Sequence, residues 1–250
     1  MMEHLRIAVA QLNPCMGDIA GNLAKARVAR AAAESAGADL LLFTELFIIG
    51  YPPEDLVLKQ AFQADARAAI EELAKDTVTG PAVLIGTPWV VDGALYNAVA
   101  VLDGGHVVAV SRKYDLPNYG VFDEKRVFSA GPLPEPVTVR GVRLGLPICE
   151  DIWTPAAMQH LASAGAELML VPNGSPFETG KEDVRLQLVR QRVGECGVPL
   201  VYLNQVGGQD EVVFDGASLI VNADGSVPVS LPAWEEKFAL TDWTYTDEGW

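Results

Sequence analysis

Asp39-Leu40-Leu41-Leu42-Phe43-Thr44-Glu45 is an unbroken apolar run that opens on one carboxylate and closes on another. A strand with one wet face alternates apolar and polar side chains, so a run without alternation reads as a strand covered on both faces. Residues 5–12, before it, read as a second buried strand. Between them, residues 18–37 are Ala-rich, with Lys25, Arg27 and Arg30 on one wet face. Asp18 suits an N-cap and Gly37 a C-terminal stop, which predicts a helix linking the two strands.

Working outward, Pro52 and Pro53 open a predicted helix over 54–74. Residues 82–91, 94–102 and 106–113 read as strands, the last two joined at Asp103-Gly104-Gly105. A polar loop without period covers 114–131, and strands at 137–139 and 142–148 flank Arg140-Gly141. Helical spacing returns at 154–165 and 181–197, strand spacing at 167–171 and 198–206. A hairpin over 216–222 and 227–231 turns at Asp224-Gly225, and the tail from Trp234 to Trp250 has little helical period. No linker divides the chain, so residues 1–250 are expected to form one domain. Hairpins interrupt the strand–helix alternation. The prediction is therefore an α/β protein with two mixed sheets face to face and helices outside, in preference to one doubly wound parallel sheet.

Half of the 250 residues are hydrophobic and a fifth are charged, which excludes a disordered scaffold. The 18 basic and 33 acidic residues leave a charge of −15, a poor match for a nucleic-acid polyanion. Three cysteines, Cys15, Cys149 and Cys196, make no disulfide framework and suit a reducing compartment. The first apolar run contains Arg6 and Gln11 and lacks a small-residue cleavage site, so it reads as a strand and not a signal peptide. No stretch reaches the ~18 apolar residues of a membrane span. The expectation is a cytoplasmic protein with neither membrane nor nucleic acid as partner.

Glu45, Lys113 and Cys149 share a placement: each closes an apolar strand where a loop or helix begins. Ligands of α/β sheets collect at such strand ends. Neighbouring parallel strands would bring the three side chains together. A thiol needs a base to become a nucleophile, a carboxylate can be that base, and a lysine can steady both thiolate and developing oxyanion. A helix starting after Cys149 would add its N–H groups and dipole. The set suits attack on an amide or nitrile carbon through a covalent sulfur intermediate. Read singly, each residue has a plain alternative: an inert buried thiol, a helix-start carboxylate and a surface lysine. The three histidines, His4, His106 and His160, are scattered, with no HExxH, CxxC or GxSxG, so neither a zinc site nor a serine triad is expected.

These residues resemble the Glu-Lys-Cys triad of the nitrilase (carbon–nitrogen hydrolase) superfamily, carried by Asp39–Glu45, Arg112-Lys113 and Ile148-Cys149-Glu150-Asp151. The opening Ile7-Ala8-Val9-Ala10-Gln11-Leu12-Asn13 is similar to the start of that domain. The resemblance implies a four-layer α-β-β-α sandwich, with Glu45 as general base, Lys113 as oxyanion stabiliser and Cys149 as nucleophile. Gly50-Tyr51-Pro52-Pro53-Glu54-Asp55-Leu56, the run from Leu116 to Phe128, Cys149–Trp153 and Asn173–Phe177 are similar to the amidase domain of glutamine-dependent NAD synthetases. By that resemblance Tyr119, Glu124, Trp153, Ser175 and Lys181 surround a glutamine, and the Glu150 N–H is a further oxyanion donor. Packing explains Tyr119 and Trp153 equally well, and a turn or cap explains Ser175. Arg185, Arg190 and Arg192 read as a solvated helix face with one or two structural ion pairs. The alternative substrate is another small amide or an N-carbamoyl compound.

The chain has no Ser-Gly-Gly-x-Asp-Ser phosphate loop, GxGxxG or GxxxxGK. An ATP-binding synthetase domain is therefore expected to lie outside it. The resemblance implies no cofactor for the amidase step, ATP and magnesium only for that absent domain, and a homo-oligomer paired through outer helices.

Overall fold

The computed structural model describes residues 3–247 and 249–250. β1 (His4–Gln11) leads into α1 (Ile19–Ser35), whose first turn is closed by the Asp18 carboxylate accepting the Gly21 N–H at 2.9 Å. β2 (Leu40–Leu42), α2 (Gln60–Lys75) and β3 (Ala82–Val91) follow, then the meander β4 (Ala94–Asp103) and β5 (His106–Arg112). A single helical turn, α3 (Glu124–Val127), interrupts the polar loop. The second half runs β6 (Val137–Val139), β7 (Val142–Gly145), α4 (Pro155–Ser163), β8 (Leu168–Asn173), α5 (Lys181–Cys196) and β9 (Leu200–Asn204). It closes with β10 (Val206–Gln209), β11 (Val212–Asp215), β12 (Leu219–Val221), β13 (Val229–Ser230) and β14 (Lys237–Thr244).

Among the described residues the strands form two six-stranded sheets, ordered β14-β1-β2-β3-β4-β5 and β13-β12-β9-β8-β7-β6, with β10-β11 as a separate ribbon. Each sheet is centred on three parallel strands crossed by two helices: β1-α1-β2-α2-β3 in one, β7-α4-β8-α5-β9 in the other. The period-two rule divides each strand between two cores. Leu5, Ile7, Val9, Leu40, Leu42 and Leu84 of the first sheet pack on Leu144, Leu168, Leu170, Val201 and Leu203 of the second. The alternate residues Ala8, Leu41, Val83 and Ile85 turn to α1 and α2, where Ala26, Ala29, Ile70 and Leu73 cover them. Met169, Val171 and Tyr202 turn to α4 and α5. The result is the expected α-β-β-α sandwich. Each large aliphatic so buried contributes roughly 1.5–3 kcal/mol.

Four segments depart from the sequence reading, one of them the strand predicted over 198–206, which ends at Asn204 while Val206 opens the β10-β11 ribbon. The helix predicted over 54–74 is split: Glu54–Leu58 is a 3-10 turn, Lys59 is extended (ψ 119°), and α2 starts afterwards. Glu54 sits at φ 47°, a value no right-handed helix propagates through. β7 stops at Gly145, because Pro147 offers no N–H to continue a ladder. The tail contains β14, which pairs antiparallel with β1 from His4↔Thr244 to Gln11↔Lys237. Among the described residues no helix is long and apolar enough to cross a membrane.

Candidate active site

Thr44 and Glu45 lie just past β2, held close over β3. An added Cβ at Gly86 would fall 2.2 Å from the Leu46 nitrogen and 2.4 Å from the Thr44 oxygen, so only glycine lets the segment settle there. Lys113 follows β5, its N–H donating to the Asn97 carbonyl at 2.8 Å. Cys149 opens a 3-10 turn, Cys149–Ile152, with φ 45°. A left-handed conformation at a non-glycine residue is uncommon and gathers at functional sites.

Glu45 and Lys113 are fully buried and Cys149 and Glu124 nearly so. The Lys113 ammonium donates to Glu45 Oε1 at 2.7 Å and to Glu124 Oε1 at 2.8 Å. Asn97 Nδ2 donates to Glu45 Oε1 at 2.7 Å and to Glu124 Oε2 at 3.3 Å. Tyr51 Oη donates to Glu124 Oε1 at 2.8 Å. The other oxygen of the base, Glu45 Oε2, accepts the Gly174 N–H at 2.8 Å. Gly174 is required there: a Cβ would meet the Tyr51 ring at 2.7 Å.

Burial pushes the Cys149 thiol well above its ordinary range, and the Glu45 charge adds to this; Lys113 and the Gly174 amide pull the other way. At rest the sulfur keeps its proton and needs a base. Burial alone would lower Lys113, yet the Glu124 and Glu45 carboxylates outweigh it and hold an ammonium. Burial likewise raises Glu124, against the pull of Lys113. Tyr51, raised by burial and then by Glu124, stays a phenol able to donate. The cluster therefore holds a cation fixed between two carboxylates, beside a thiol whose proton feels the Glu45 charge. Such a set can take a proton from sulfur and stabilise an oxyanion without rearrangement.

The chain matches the carbon-nitrogen hydrolase family over residues 6–245. It belongs to that family. The carbon–nitrogen hydrolase chain is 50% identical over 242 residues to the glutamine-dependent NAD(+) synthetase of Rhodobacter capsulatus, which covers 97% of it and 44% of the relative. It therefore spans about half the length of the curated relatives it matches. The glutamine-dependent NAD+ synthetase of Acinetobacter baumannii superposes with a TM-score of 0.94 at 34% identity, over 99% of this chain and 47% of that one. An amidase of the nitrilase superfamily from Nesterenkonia AN1 superposes with a TM-score of 0.84 at 30% identity, over 97% and 91% of the two chains. One form of that amidase carries the acetamide moiety of fluoroacetamide covalently added at its active-site cysteine.

In this carbon–nitrogen hydrolase fold the three strand ends meet, but not as neighbours in one sheet. β2 and β5 are separated by β3 and β4, and Cys149 follows β7 of the opposite sheet. The short helix expected behind Cys149 is a four-residue 3-10 turn, and α4 begins only at Pro155, too far on for its dipole to act at the sulfur.

Of the residues expected around a substrate, Glu124 joins the buried cluster directly. Tyr119, 54% exposed, donates its hydroxyl to the Glu150 carboxylate at 3.0 and 2.9 Å. The Lys181 ammonium lies 5.3 Å from the Trp153 ring centroid and pairs with Glu178 at 3.2 Å. Ser175 is buried beside Gly174: its N–H donates to Asn204 Oδ1 at 2.9 Å, and its Oγ accepts from Arg185 Nε at 3.1 Å. Of the predicted solvated arginine face only Arg190 is exposed; Arg185 and Arg192 are buried and supply the expected ion pairs, Arg185 with Asp215 and also against the Ser175 and Pro176 carbonyls, Arg192 with Glu195. Guanidinium donors that fit a ring of inward-facing acceptors keep a cation inside.

Sequence reading gave no role to Tyr51, Asn97 or Gly174. Asn97 carried a signal, a lone amide within the apolar strand from Ala94 to Leu102.

Proposed function

We propose that this chain is the glutamine-hydrolysing amidase domain of a glutamine-dependent NAD synthetase. The observation that carries the choice of glutamine is the match along nearly the whole chain to relatives bearing that name, at up to 50% identity. The buried Glu45–Lys113–Cys149 cluster supports the chemistry.

Cys149 Sγ attacks the side-chain amide carbon as its proton passes to Glu45. The carbonyl oxygen becomes an oxyanion against Lys113 Nζ and the Glu150 N–H. Glu45 returns the proton to the departing nitrogen, ammonia leaves, and a γ-glutamyl thioester remains. Glu45 then takes a proton from water, which opens the thioester to glutamate and restores the thiol. Glu124, Asn97 and Tyr51 hold Lys113 and Glu45 in place through these steps. Tyr119, Glu150, Trp153, Ser175 and Lys181 form the wall that meets the amino-acid end of the substrate. Residues 1–250 act as one amidase domain whose ammonia goes to a synthetase domain outside this chain; ATP and magnesium belong to that domain's chemistry. The setting is the cytoplasm, in keeping with three free cysteines, and the working form is a homo-oligomer.

A second reading, a free-standing amidase of another small amide, is favoured by the 91% coverage of the Nesterenkonia enzyme. Ammonia release separates the two. Glutamine should be hydrolysed in preference to a short aliphatic amide, and Cys149→Ala should abolish turnover of both. Exclusive preference for the aliphatic amide would transfer the case to the second reading, and full activity of Cys149→Ala would remove the nucleophile.

A further inference from the structure

The Asp151 carboxylate is fully buried two residues beyond Cys149, and the reaction gives it no work. Its partners all flank reacting residues. Oδ1 accepts the N–H groups of Tyr114 at 3.0 Å and Asp115 at 2.7 Å, the two residues that follow Lys113. Oδ2 accepts the N–H of Ile148 at 2.8 Å, the residue that precedes Cys149. A second tie runs beside the first: Thr154 Oγ1 donates to Asp115 Oδ2 at 2.6 Å.

Lys113 extends from the edge strand of one sheet and Cys149 from the opposite sheet, so no ladder hydrogen bond fixes one against the other. The cores set sheet spacing through non-directional contacts and one buried bond, from Ser111 Oγ to the Leu146 carbonyl at 3.0 Å, whereas attack geometry is lost with displacements of about 1 Å. We propose that Asp151, seconded by the Asp115–Thr154 bond, is a positioning residue that locks the strand end bearing the ammonium to the turn bearing the nucleophile. This rests on the reading of Lys113 and Cys149 given above. The Ile148 bond also adjoins the left-handed Cys149 backbone, a conformation that surrounding contacts must hold.

A protonated Asp151 has one oxygen that donates, and cannot accept on both sides. Burial lifts this carboxyl to about 7, with the Asp115 charge adding, while the Asp115 and Ile148 N–H groups and the Lys113 charge pull it down. The lock therefore loosens as pH falls through about 7, and Asp151→Asn fixes it in the loosened state at every pH.

The test is the rate of Cys149 alkylation by iodoacetamide, resolved by peptide mass spectrometry with exposed Cys15 as internal reference, in wild type, Asp151→Asn and Thr154→Val. Asp151→Asn should slow Cys149 at least tenfold at pH 8 and lower kcat for glutamine alike, with KM within twofold and Cys15 unchanged. Its Cys149 rate should lack the wild-type step near pH 7. Thr154→Val, at an exposed bond, should slow Cys149 two- to fivefold and carries the test alone if Asp151→Asn does not fold. Cys149 rates per folded molecule equal to wild type in the folded variants would overturn the proposal while leaving the nucleophile intact. An unreactive wild-type Cys149 would overturn the nucleophile reading itself and the lock with it.

Discussion

Two ionic clusters are buried among the described residues, and they are built on opposite plans. Arg185 and Asp215 form a balanced pair: one guanidinium nitrogen meets both carboxylate oxygens at 2.7 and 2.8 Å, and the remaining donors reach Ser175 and Pro176. Charge is neutral and the arginine donors are used. Around Lys113 one ammonium faces two carboxylates, Glu45 and Glu124, beside a thiol whose proton is held by burial and by the Glu45 charge. That cluster is short of positive charge and has a proton to move. A saturated, neutral pair resists change and fixes the Ser175–Pro176 segment; an unbalanced cluster is poised for charge to develop inside it.

Three substitutions break or sharpen this contrast, from the largest effect to the smallest. Glu45→Gln removes the proton acceptor but keeps the shape; kcat for ammonia release should fall about 10²–10⁴-fold. Its thermal midpoint should stay near that of wild type, since Glu124 still faces Lys113. A midpoint collapse with little loss of kcat would make the cluster structural instead. Arg185→Leu should do the opposite. It strands the Asp215 carboxylate in the interior and should cost about 3–5 kcal/mol in denaturant titration. Arg185→Leu with Asp215→Leu should recover more than half of that loss, because the stranded charge is gone; no recovery would mean the guanidinium's contacts to Ser175 and Pro176 dominate. Tyr119→Phe removes one half-exposed bond to Glu150, whose carboxyl is raised by burial and lowered by that hydroxyl. Steady-state kinetics should give a KM increase of two- to fivefold with kcat within twofold. A large fall in kcat would place Tyr119 in the chemistry.

The same contrast explains what could be read from the chain. Asp39–Thr44 declares a doubly covered strand by lacking alternation, and Asp18 and Gly37 declare the ends of α1, because both signals are local. The triad side chains are legible one by one for the same reason, each closing an apolar run. Their convergence is not, since it depends on stacking two sheets whose strands pair in an order no local pattern carries. Arg185 misleads because its partner Asp215 lies 30 residues on, and charge spacing on a helix looks the same whether its acceptors are water or buried carbonyls. β14 was hidden likewise: its partner β1 is at the other end of the chain, and an edge strand with mixed burial has weak alternation. Tyr51 and Gly174 act through positions reached only in the folded molecule, one through a hydroxyl on Glu124 and one through a backbone amide.

The most direct measurement is the intact mass of the protein after exposure to a glutamine-like diazo ketone, followed by peptide mapping. The account predicts one adduct per chain, on Cys149, suppressed by excess glutamine and missing from Cys149→Ala. An adduct on Cys15 or Cys196 alone, or an unmodified chain under conditions where it releases ammonia from glutamine, would contradict it.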